Sequence, residues 1–294
     1  MTTPLPPSLL EQTHEVVQAD GVLLVVHRDW RESLPVDELL AGAPLTAWGT
    51  PVEHDLRGRD EIHVLDTPRG QLVAKAYRRG GIVGGVLRQW YADPWRPARE
   101  AVVAEGLRAR GCPTPEVVAA RATRGAAGLH RLEIATARLT DARDLLDVLR
   151  DAREDAVATT ALARRTGRTL RRLHDVGLHH RDLQVKNLLV PADPDGPLVI
   201  LDLDRCHLGE PLPAARRLPS LARFARSLVK NGVLPRPGAP TEEREAWVPR
   251  AAAAFAAGYG PLEGAGRGAL LREITRRLRR MLRTHGVLWK EPEA

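Results

Sequence analysis

One stretch of polar residues, 180–187, constrains this chain more than any other feature of its sequence. An amphipathic helix predicted over 155–174 precedes it, and two short apolar strands are predicted after it. Asp182 and Asn187 lie within the stretch, and Asp202 ends the second strand. Taken singly, each would also suit a polar surface turn or the end of a strand. Together they predict a functional loop in which the two carboxylates have different tasks.

The spacing of these residues resembles that of the protein-kinase-like fold. His180-Arg181-Asp182-Leu183, with Asn187 five positions after the Asp, matches the kinase catalytic loop. By this resemblance Asp182 accepts the proton of the acceptor hydroxyl and Asn187 holds a metal ion. Asp202 stands 20 positions after Asp182, where these enzymes place the metal-binding Asp of their Asp-Phe-Gly motif. Magnesium bound to a triphosphate takes hard oxygen ligands, so the resemblance implies ATP and Mg²⁺ as cofactors.

A lysine upstream fits the same comparison. The chain has 44 cationic residues but only four lysines, and one of them ends the predicted strand segment Leu72-Val73-Ala74-Lys75. In kinases such a Lys binds the α- and β-phosphates and pairs with a helix Glu. Glu100 shares the apolar face of the predicted helix 96–110, whereas Glu105 lies about 140° away, so Glu100 is the expected partner. The alternative is a strand Lys and a surface Glu without a role in binding.

The loop that would cover the phosphates is the weakest match. The segment Asp55-Leu56-Arg57-Gly58-Arg59-Asp60 contains one Gly where protein kinases carry three. Gly58 can bring backbone N–H groups to a phosphate, but a lone Gly in a hairpin serves equally well as a turn. Gly58 is therefore a candidate nucleotide-binding residue, with both interpretations open.

These elements predict a bilobal protein-kinase-like α+β fold. We expect residues 1–20 to form a loose lead-in and residues 21–138 a small lobe with an antiparallel sheet and one long helix. Residues 139–294 should form a mostly helical lobe that carries the 180–187 loop and Asp202. The cleft between the lobes is expected to bind ATP with Mg²⁺.

Three departures from the protein kinases concern the acceptor. Asp204 stands in place of the Gly of the Asp-Phe-Gly motif, Gln184 replaces the Lys typical of serine/threonine kinases, and no Ala-Pro-Glu segment follows. The chain is predicted to become helical again by Ala214. Little room is left for a platform that binds a peptide, which favours a small molecule or a glycolipid as acceptor.

Within that group the sequence resembles the lipopolysaccharide core kinases, and most closely the 3-deoxy-D-manno-octulosonic acid (Kdo) kinases. The resemblance covers roughly residues 58–207, and Arg79-Gly80-Gly81 carries most of it because this element is less widely shared among kinases. It implies phosphorylation of a Kdo hydroxyl on a lipid A precursor, at the cytoplasmic face of the inner membrane. The segments that carry it are 75–81, 99–100, 110–115, 173–187 and 202–205.

The charge balance agrees with an anionic partner. A net charge of +7 and a pI near 10.1 favour contact with phosphate, an acidic glycan or an anionic membrane surface. The predicted C-terminal helix 267–283 carries seven Arg and one Glu. Two arrangements are open for it: the helix lies on anionic lipid, or it packs its apolar stripe on the large lobe while its Arg side chains stay solvated.

Cysteine content and hydropathy bear on the compartment. Cys112 and Cys206 have neither a metal-binding nor a disulfide spacing, no apolar run is long enough to span a membrane, and the N-terminus lacks the regions of a signal peptide. We therefore expect a cytoplasmic protein, and the resemblance to the Kdo kinases implies that it is peripheral on the cytoplasmic face of the inner membrane.

Two other functions are open at this point. A kinase of a soluble small molecule, of the aminoglycoside-phosphotransferase type, would share the motifs above, because its acceptor pocket would be built after Asp204, where the resemblance is thin. A non-catalytic basic protein on the same fold would tolerate damage at Asp182, Asn187 or Asp202, and all three are intact. The expected partner is therefore a sugar or glycolipid acceptor and not a nucleic acid.

Overall fold

The chain folds into two compact units. The computed structural model describes residues 7–51, 62–78, 89–235, 247–262 and 267–285. Unit 1 comprises Met1–Ala109, Thr114–Thr140 and Leu203–Arg205, and unit 2 comprises Arg110–Pro113, Asp141–Asp202 and Cys206–Ala294. The candidate Gly58 and the Arg79-Gly80-Gly81 element lie outside the described residues.

Unit 1 is built on a seven-stranded sheet in which every neighbouring pair is antiparallel. Its strands are β1 (His14–Ala19), β2 (Val22–His27), β3 (Thr50–Pro51), β4 (Ile62–Thr67), β5 (Gly70–Ala76), β6 (Val117–Arg124) and β7 (His130–Ala137). They lie in the order β1-β2-β6-β7-β5-β4-β3. Leu24, Leu72, Val118 and Ala135 come from four of these strands and are fully buried, so the core of unit 1 forms on the sheet.

The prediction of a loose lead-in over residues 1–20 is wrong for its second half. Residues 14–19 form the edge strand β1, which pairs with β2 along its full length. The two strands meet at Asp20-Gly21, where both residues have positive φ angles of 46° and 81°. An Asp-Gly pair with these angles is the turn that joins two twisted strands most directly. That dipeptide is the sequence signal that the prediction overlooked.

In the described part of unit 1, the α-helices are two short ones, α1 (Pro7–Thr13) and α2 (Val36–Leu40), and one long one, α3 (Arg96–Ala109). The long helix matches the one predicted over 96–110. It packs against β6 and β7, and its Ala101 and Ala104 are fully buried. Two polar side chains of the same helix, Glu100 and Glu105, are buried as well.

Unit 2 is mostly helical, as its sequence predicts. Its helices are α4 (Leu145–Asp151), α5 (Ala156–Asp175), α6 (Ala214–Lys230), α7 (Trp247–Tyr259) and α8 (Arg267–His285). Its short strands are β8 (Ala142–Asp144), β9 (Leu178–His179), β10 (Leu188–Pro191), β11 (Val199–Ile200) and β12 (His207–Leu208). β10 lies between β11 and β8 in a three-stranded sheet, and β9 pairs with β12.

Helix α5 begins at a side-chain cap and crosses α7 at very short range. The Asp155 carboxylate accepts hydrogen bonds from the backbone N–H groups of Val157 and Ala158, both at 2.9 Å. Further along, a Cβ added at Gly167 would lie 2.3 Å from the carbonyl oxygen of Phe255 in α7. Glycine is required there because two backbones are in contact. This crossing anchors the helix that leads into the 180–187 loop.

The C-terminal helix α8 takes the second of its two expected arrangements. Leu270, Ile274 and Leu278 are buried, and α8 packs on α6 and α7. Its apolar stripe is thus used within unit 2, while Arg276 stays 66% exposed in its ion pair with Glu273. None of the helices in the described part of the chain is both long enough and apolar enough to cross a membrane.

Candidate active site

The 180–187 loop of unit 2 is held at its start by a buried histidine. His180 Nε2 lies 3.0 Å from the carbonyl oxygen of Leu201. Because a carbonyl only accepts, this ring nitrogen carries the proton. Burial lowers the pKa of His180, so the ring is neutral near pH 7. The loop is thereby joined to the residue that directly precedes Asp202.

Asp182 is exposed, and two amide side chains of its own loop position it. Gln184 Nε2 donates to Asp182 Oδ2 at 2.6 Å, and Asn187 Nδ2 donates to the Asp182 backbone oxygen at 2.8 Å. A side-chain amide at position 184 thus fixes one carboxylate oxygen of Asp182. In the sequence, Gln184 is only a departure from the protein kinases, whereas in the structure its side chain contacts Asp182.

Buried contacts beneath the loop hold its backbone. Leu183 and Val185 are buried, and the Val185 N–H donates to the Oγ of Ser227 on α6 at 2.9 Å. Ser227 itself is buried and donates to the carbonyl oxygen of Phe224 at 2.7 Å. Nothing in the sequence near residue 227 indicates this contact, because its partner is 42 positions away.

Asn187 and Asp202 come together at one end of the β10–β11 hairpin. Leu188 faces Ile200 in this pair of strands, so Asn187 lies opposite Leu201. The Leu201 N–H donates to the Asn187 carbonyl oxygen at 2.9 Å. Asp202 follows with a φ of 56°, a left-handed conformation that costs a non-glycine residue about 1 kcal/mol. The two candidate metal ligands therefore leave adjacent strands at the same end.

The donor set suits a magnesium ion that also binds phosphate. Carboxylate and amide oxygens are the protein ligands that Mg²⁺ prefers, and Asp202 and Asn187 supply one of each kind. The residues that the structure describes contain no group of three or more His, Cys, Asp or Glu able to enclose a metal ion. Magnesium does not need one, since it usually keeps waters and takes substrate phosphate oxygens alongside one or two carboxylates.

In unit 1, Lys75 and Glu100 lie on the elements expected for them. Lys75 is on β5, paired with Ile62 on one side and Ile134 on the other, and its Nζ is 6.0 Å from the centre of the Tyr77 ring. Glu100 is on α3 and is buried. Tyr77 donates its hydroxyl to Glu100 Oε2, and the backbone N–H of Leu203 donates to Glu100 Oε1 at 3.2 Å.

The second glutamate on α3 differs in its surroundings. Glu105 is also buried, and its Oε1 has no hydrogen-bond partner among the described residues. The nearest cation is Arg108, one turn along the same helix at 3.8 Å. Burial raises the pKa of Glu105. Glu100, in contrast, accepts a hydrogen bond from the residue that directly follows Asp202.

An ion pair that the sequence comparison did not find lies beside Glu100. Arg96, one turn earlier on α3, donates from Nε to Asp204 Oδ1 at 2.7 Å and from Nη2 to Asp204 Oδ2. The guanidinium lies over two aromatic rings, 5.3 Å from the centre of Tyr77 and 4.8 Å from that of Tyr91. Burial, and then the Glu100 charge, hold the pKa of Tyr77 well above its usual value, so its hydroxyl stays a donor.

This pair explains the departure from Asp-Phe-Gly at position 204. Both oxygens of Asp204 accept hydrogen bonds from Arg96, and Glu100 holds the Leu203 N–H of the same segment. A Gly at position 204 could make no such ion pair. The only sequence signal was the Asp itself at a position where kinases carry Gly, and its partner lies 108 residues earlier.

Comparisons with known proteins show what the chain is similar to. A family model described as the lipopolysaccharide kinase (Kdo/WaaP) family matches residues 48–259. The chain is 35% identical over 191 residues to a 3-deoxy-D-manno-octulosonic acid kinase of Xanthomonas campestris pv. campestris, across 62% of this chain and 72% of that protein. It is 32% identical over 164 residues to the enzyme of that name from Photobacterium profundum, across 54% of this chain.

The matches to some relatives are partial. The matching region spans 66% of the Photobacterium profundum protein and 63% of the Vibrio cholerae protein of the same name. Among solved structures, "WaaP in complex with acyl carrier protein" aligns with 94% of this chain and 100% of that one, at a TM-score of 0.52 and 20% sequence identity. The predicted protein-kinase-like α+β fold is thereby confirmed.

Proposed function

The chain belongs to the lipopolysaccharide kinase (Kdo/WaaP) family, and from that premise we propose that it is an ATP-dependent sugar kinase of lipopolysaccharide biosynthesis. Its acceptor would be a hydroxyl of Kdo in the inner core, carried on a lipid A precursor. Mg²⁺ would be the metal cofactor, and Asp182 would accept the proton of the attacking hydroxyl.

The observation that carries the proposal is the position of Asn187 between the two carboxylates. Its side chain donates to the backbone oxygen of Asp182, and its own backbone oxygen accepts from Leu201, next to Asp202. Asn187 thus connects the segment of the expected base to the segment of the expected metal ligand through two hydrogen bonds. A polar surface turn without a function would not require both of these hydrogen bonds.

The reaction assigns one task to each carboxylate. The acceptor hydroxyl oxygen forms a bond to the γ-phosphorus, the bond from that phosphorus to the bridging oxygen of ADP breaks, and the hydroxyl proton passes to Asp182. Gln184 holds one oxygen of Asp182, which orients the carboxylate toward the acceptor. Mg²⁺ on Asn187 and Asp202 would neutralise phosphate charge that develops in the transition state.

Lys75 and Glu100 would act on the nucleotide. An ammonium group on β5 suits the α- and β-phosphates as a point charge. Glu100 keeps α3 attached to Leu203 through a hydrogen bond, so its effect on activity would come from positioning. Gly58 stays a candidate for phosphate contact.

Substitution of Asp182 by Asn tests the proposal. Loss of a general base lowers turnover by about 10²- to 10⁴-fold, and the dissociation constant for ATP should stay within a few-fold of wild type. Asp195→Asn is the matched control, because Asp195 is an exposed loop carboxylate in the same unit. An Asp182→Asn enzyme with near wild-type turnover would remove Asp182 from the role of base.

The location follows from the same proposal. A lipid-linked acceptor would bring the protein to the cytoplasmic face of the inner membrane, where exposed Arg side chains of α8 would meet anionic headgroups. Replacing Arg276, Arg279 and Arg280 together by Gln should weaken cosedimentation with phosphatidylglycerol vesicles and raise the KM for a lipid acceptor alone. An equal rise in the KM for a soluble acceptor would make α8 purely structural.

A further inference from the structure

Helix α6 carries a stripe of cations that the site described above does not use. Arg216, Arg223, Arg226 and Lys230 fall within an arc of about 80° on a helix of 100° per residue. The helix has the sequence AARRLPSLARFARSLVK and contains no acidic residue. Such a stripe has no compensating charge on its own helix.

The stripe runs beside the 180–187 loop. Ser227, whose Oγ accepts the Val185 N–H at 2.9 Å, lies one turn after Arg223 and directly after Arg226. The hydrogen bond therefore fixes this part of α6 against the loop that carries Asp182. Arg181 approaches from the loop itself, as the residue before Asp182.

The charges around Arg223 are unbalanced. Burial lowers the pKa of Arg223; the Asp182 carboxylate opposes that shift, and Arg226 and Arg181 add to it. His179, on the strand before the loop, also has a lowered pKa, first through burial and then through Arg216, Arg181 and Arg223. Among the described residues that act on Arg223, Asp182 supplies the carboxylate.

One other arginine of the same helix, Arg217, is satisfied within the protein. Arg217 donates to the carbonyl oxygen of Leu212 and forms an ion pair of 2.7 Å with Asp175. Among the residues that the structure describes, no carboxylate lies within ion-pair distance of Arg181, Arg223 or Arg226. Three guanidinium groups gathered beside one carboxylate, two of them partly buried, are costly unless an anion joins them.

We propose that Arg223 and Arg226, together with Arg181, bind an anionic group of the acceptor and hold it beside Asp182. The ligand is a carboxylate or a phosphate, since both fit the planar fork of a guanidinium with two parallel hydrogen bonds. The inference rests on the proposed function and deepens it. A sugar acid such as 3-deoxy-D-manno-octulosonic acid has a carboxylate close to its hydroxyls, which this arrangement would use to present one hydroxyl to the base.

Acceptor variants combined with protein variants test the subsite. Arg223→Gln and Arg226→Gln are compared with Arg168→Gln, an exposed arginine of α5 in the same unit. With free Kdo as acceptor, each α6 variant should raise the acceptor KM about tenfold or more, because a charged hydrogen bond to the carboxylate is lost, and should leave the KM for ATP unchanged. Arg168→Gln should behave as wild type.

The methyl ester of Kdo identifies the group that is bound. If the subsite binds the carboxylate, the ester is a poor acceptor for wild type, and the KM for the ester is no higher in the α6 variants than in wild type. If it takes a phosphate, the α6 variants lose affinity for the lipid-linked acceptor and not for its dephosphorylated form. The four acceptors are free Kdo, its methyl ester, the lipid-linked acceptor and the dephosphorylated form of that acceptor. An equal rise in KM for all four in the α6 variants, or no rise for any, would overturn the subsite.

A binding measurement separates this inference from the proposed function. Calorimetric titration of Kdo into wild type and Arg223→Gln needs no phosphoryl transfer. Binding weakened tenfold in the variant, with no transfer by the wild type, would refute the kinase proposal and support the subsite. Equal binding of Kdo by wild type and variant, together with an unchanged KM for both free Kdo and the phosphorylated lipid-linked acceptor, would refute the subsite and leave the kinase proposal standing.

Discussion

The ion pair between Arg96 and Asp204 predicts a measurable energetic link between α3 and the segment that follows Asp202. Asp204→Asn keeps the shape of the side chain and removes its charge, and Arg96→Met keeps much of the length of the Arg stem. Combining the two substitutions gives a double-mutant cycle, which isolates the energy of the pair from the packing of each side chain.

The magnitude follows from burial and geometry. The side chains of Arg96 and Asp204 are 19% and 20% exposed, so neither the value for a surface pair, about 0.2–1 kcal/mol, nor that for breaking a fully buried pair, about 3–5 kcal/mol, applies. Two parallel charged hydrogen bonds on a guanidinium that also lies over two rings place the coupling energy at about 1.5–3 kcal/mol.

Urea unfolding followed by tryptophan fluorescence is the assay. Four of the six tryptophans, Trp30, Trp48, Trp90 and Trp95, belong to unit 1, so the signal reports the unit that contains the pair. Each single variant should lose about 2 kcal/mol of unfolding free energy, and the double variant should lose little more than the larger single loss. Strictly additive losses would refute the energetic role of the pair.

The same variants distinguish a positioning residue from a metal ligand. Two hydrogen bonds hold the peptide group between Asp202 and Leu203. The Leu203 N–H donates to Glu100, and Cys206 Sγ makes a weak hydrogen bond of 3.8 Å to the backbone oxygen of Asp202. Asp204→Asn should therefore lower turnover while the Mg²⁺ concentration for half-maximal activity stays near wild type. Asp202→Asn should raise that concentration. An equal rise in both variants would make Asp204 a ligand.

Three further predictions concern other parts of the chain. Lys75→Met should lower kcat/KM for ATP by about 10²-fold or more with an unchanged unfolding midpoint, and Glu105→Gln should reduce turnover less than Glu100→Gln; the reverse order would refute the choice of Glu100. Gly167→Ala should lower the melting temperature by several degrees, because its Cβ would lie 2.3 Å from the Phe255 oxygen, whereas Gly209→Ala, with its nearest neighbour 4.0 Å away, should melt like wild type. Burial lowers the pKa of His174 to about 3. Between pH 6.5 and 3 the unfolded chain therefore binds a proton that the folded chain does not, and the free energy of unfolding should fall by up to about 1.4 kcal/mol for each unit that the pH decreases. The fall should be less steep in His174→Gln.

Features set by nearby residues could be predicted from the sequence. The capping Asp155 and the apolar periodicity after it predict α5 almost to its ends, and the glycine after α3 marks where that helix stops. The positions of Asp182, Asn187 and Asp202 follow from a loop and two strands that are close in the sequence. Local signals decide such elements because the interactions that form them span few residues.

Contacts between distant residues could not be predicted in this way. The partners in the Arg96–Asp204 and Val185–Ser227 contacts are 108 and 42 positions apart, and the tertiary packing alone brings them together. The burial of Glu105 depends likewise on the tertiary packing of α3. The strand β1 is different, since the Asp20-Gly21 turn was available in the sequence and its hairpin signal was overlooked.

We propose that this chain phosphorylates a sugar hydroxyl of the lipopolysaccharide inner core with ATP, and transfer of the labelled γ-phosphoryl group tests this most directly. Transfer should be measured side by side on a Kdo-bearing lipid A precursor in micelles, free Kdo, an aminoglycoside and a generic protein, with wild type and Asp182→Asn. We predict Mg²⁺-dependent labelling of the Kdo-bearing lipid by wild type and its loss in the variant. Labelling of the aminoglycoside or the protein with none on either Kdo acceptor would contradict the account.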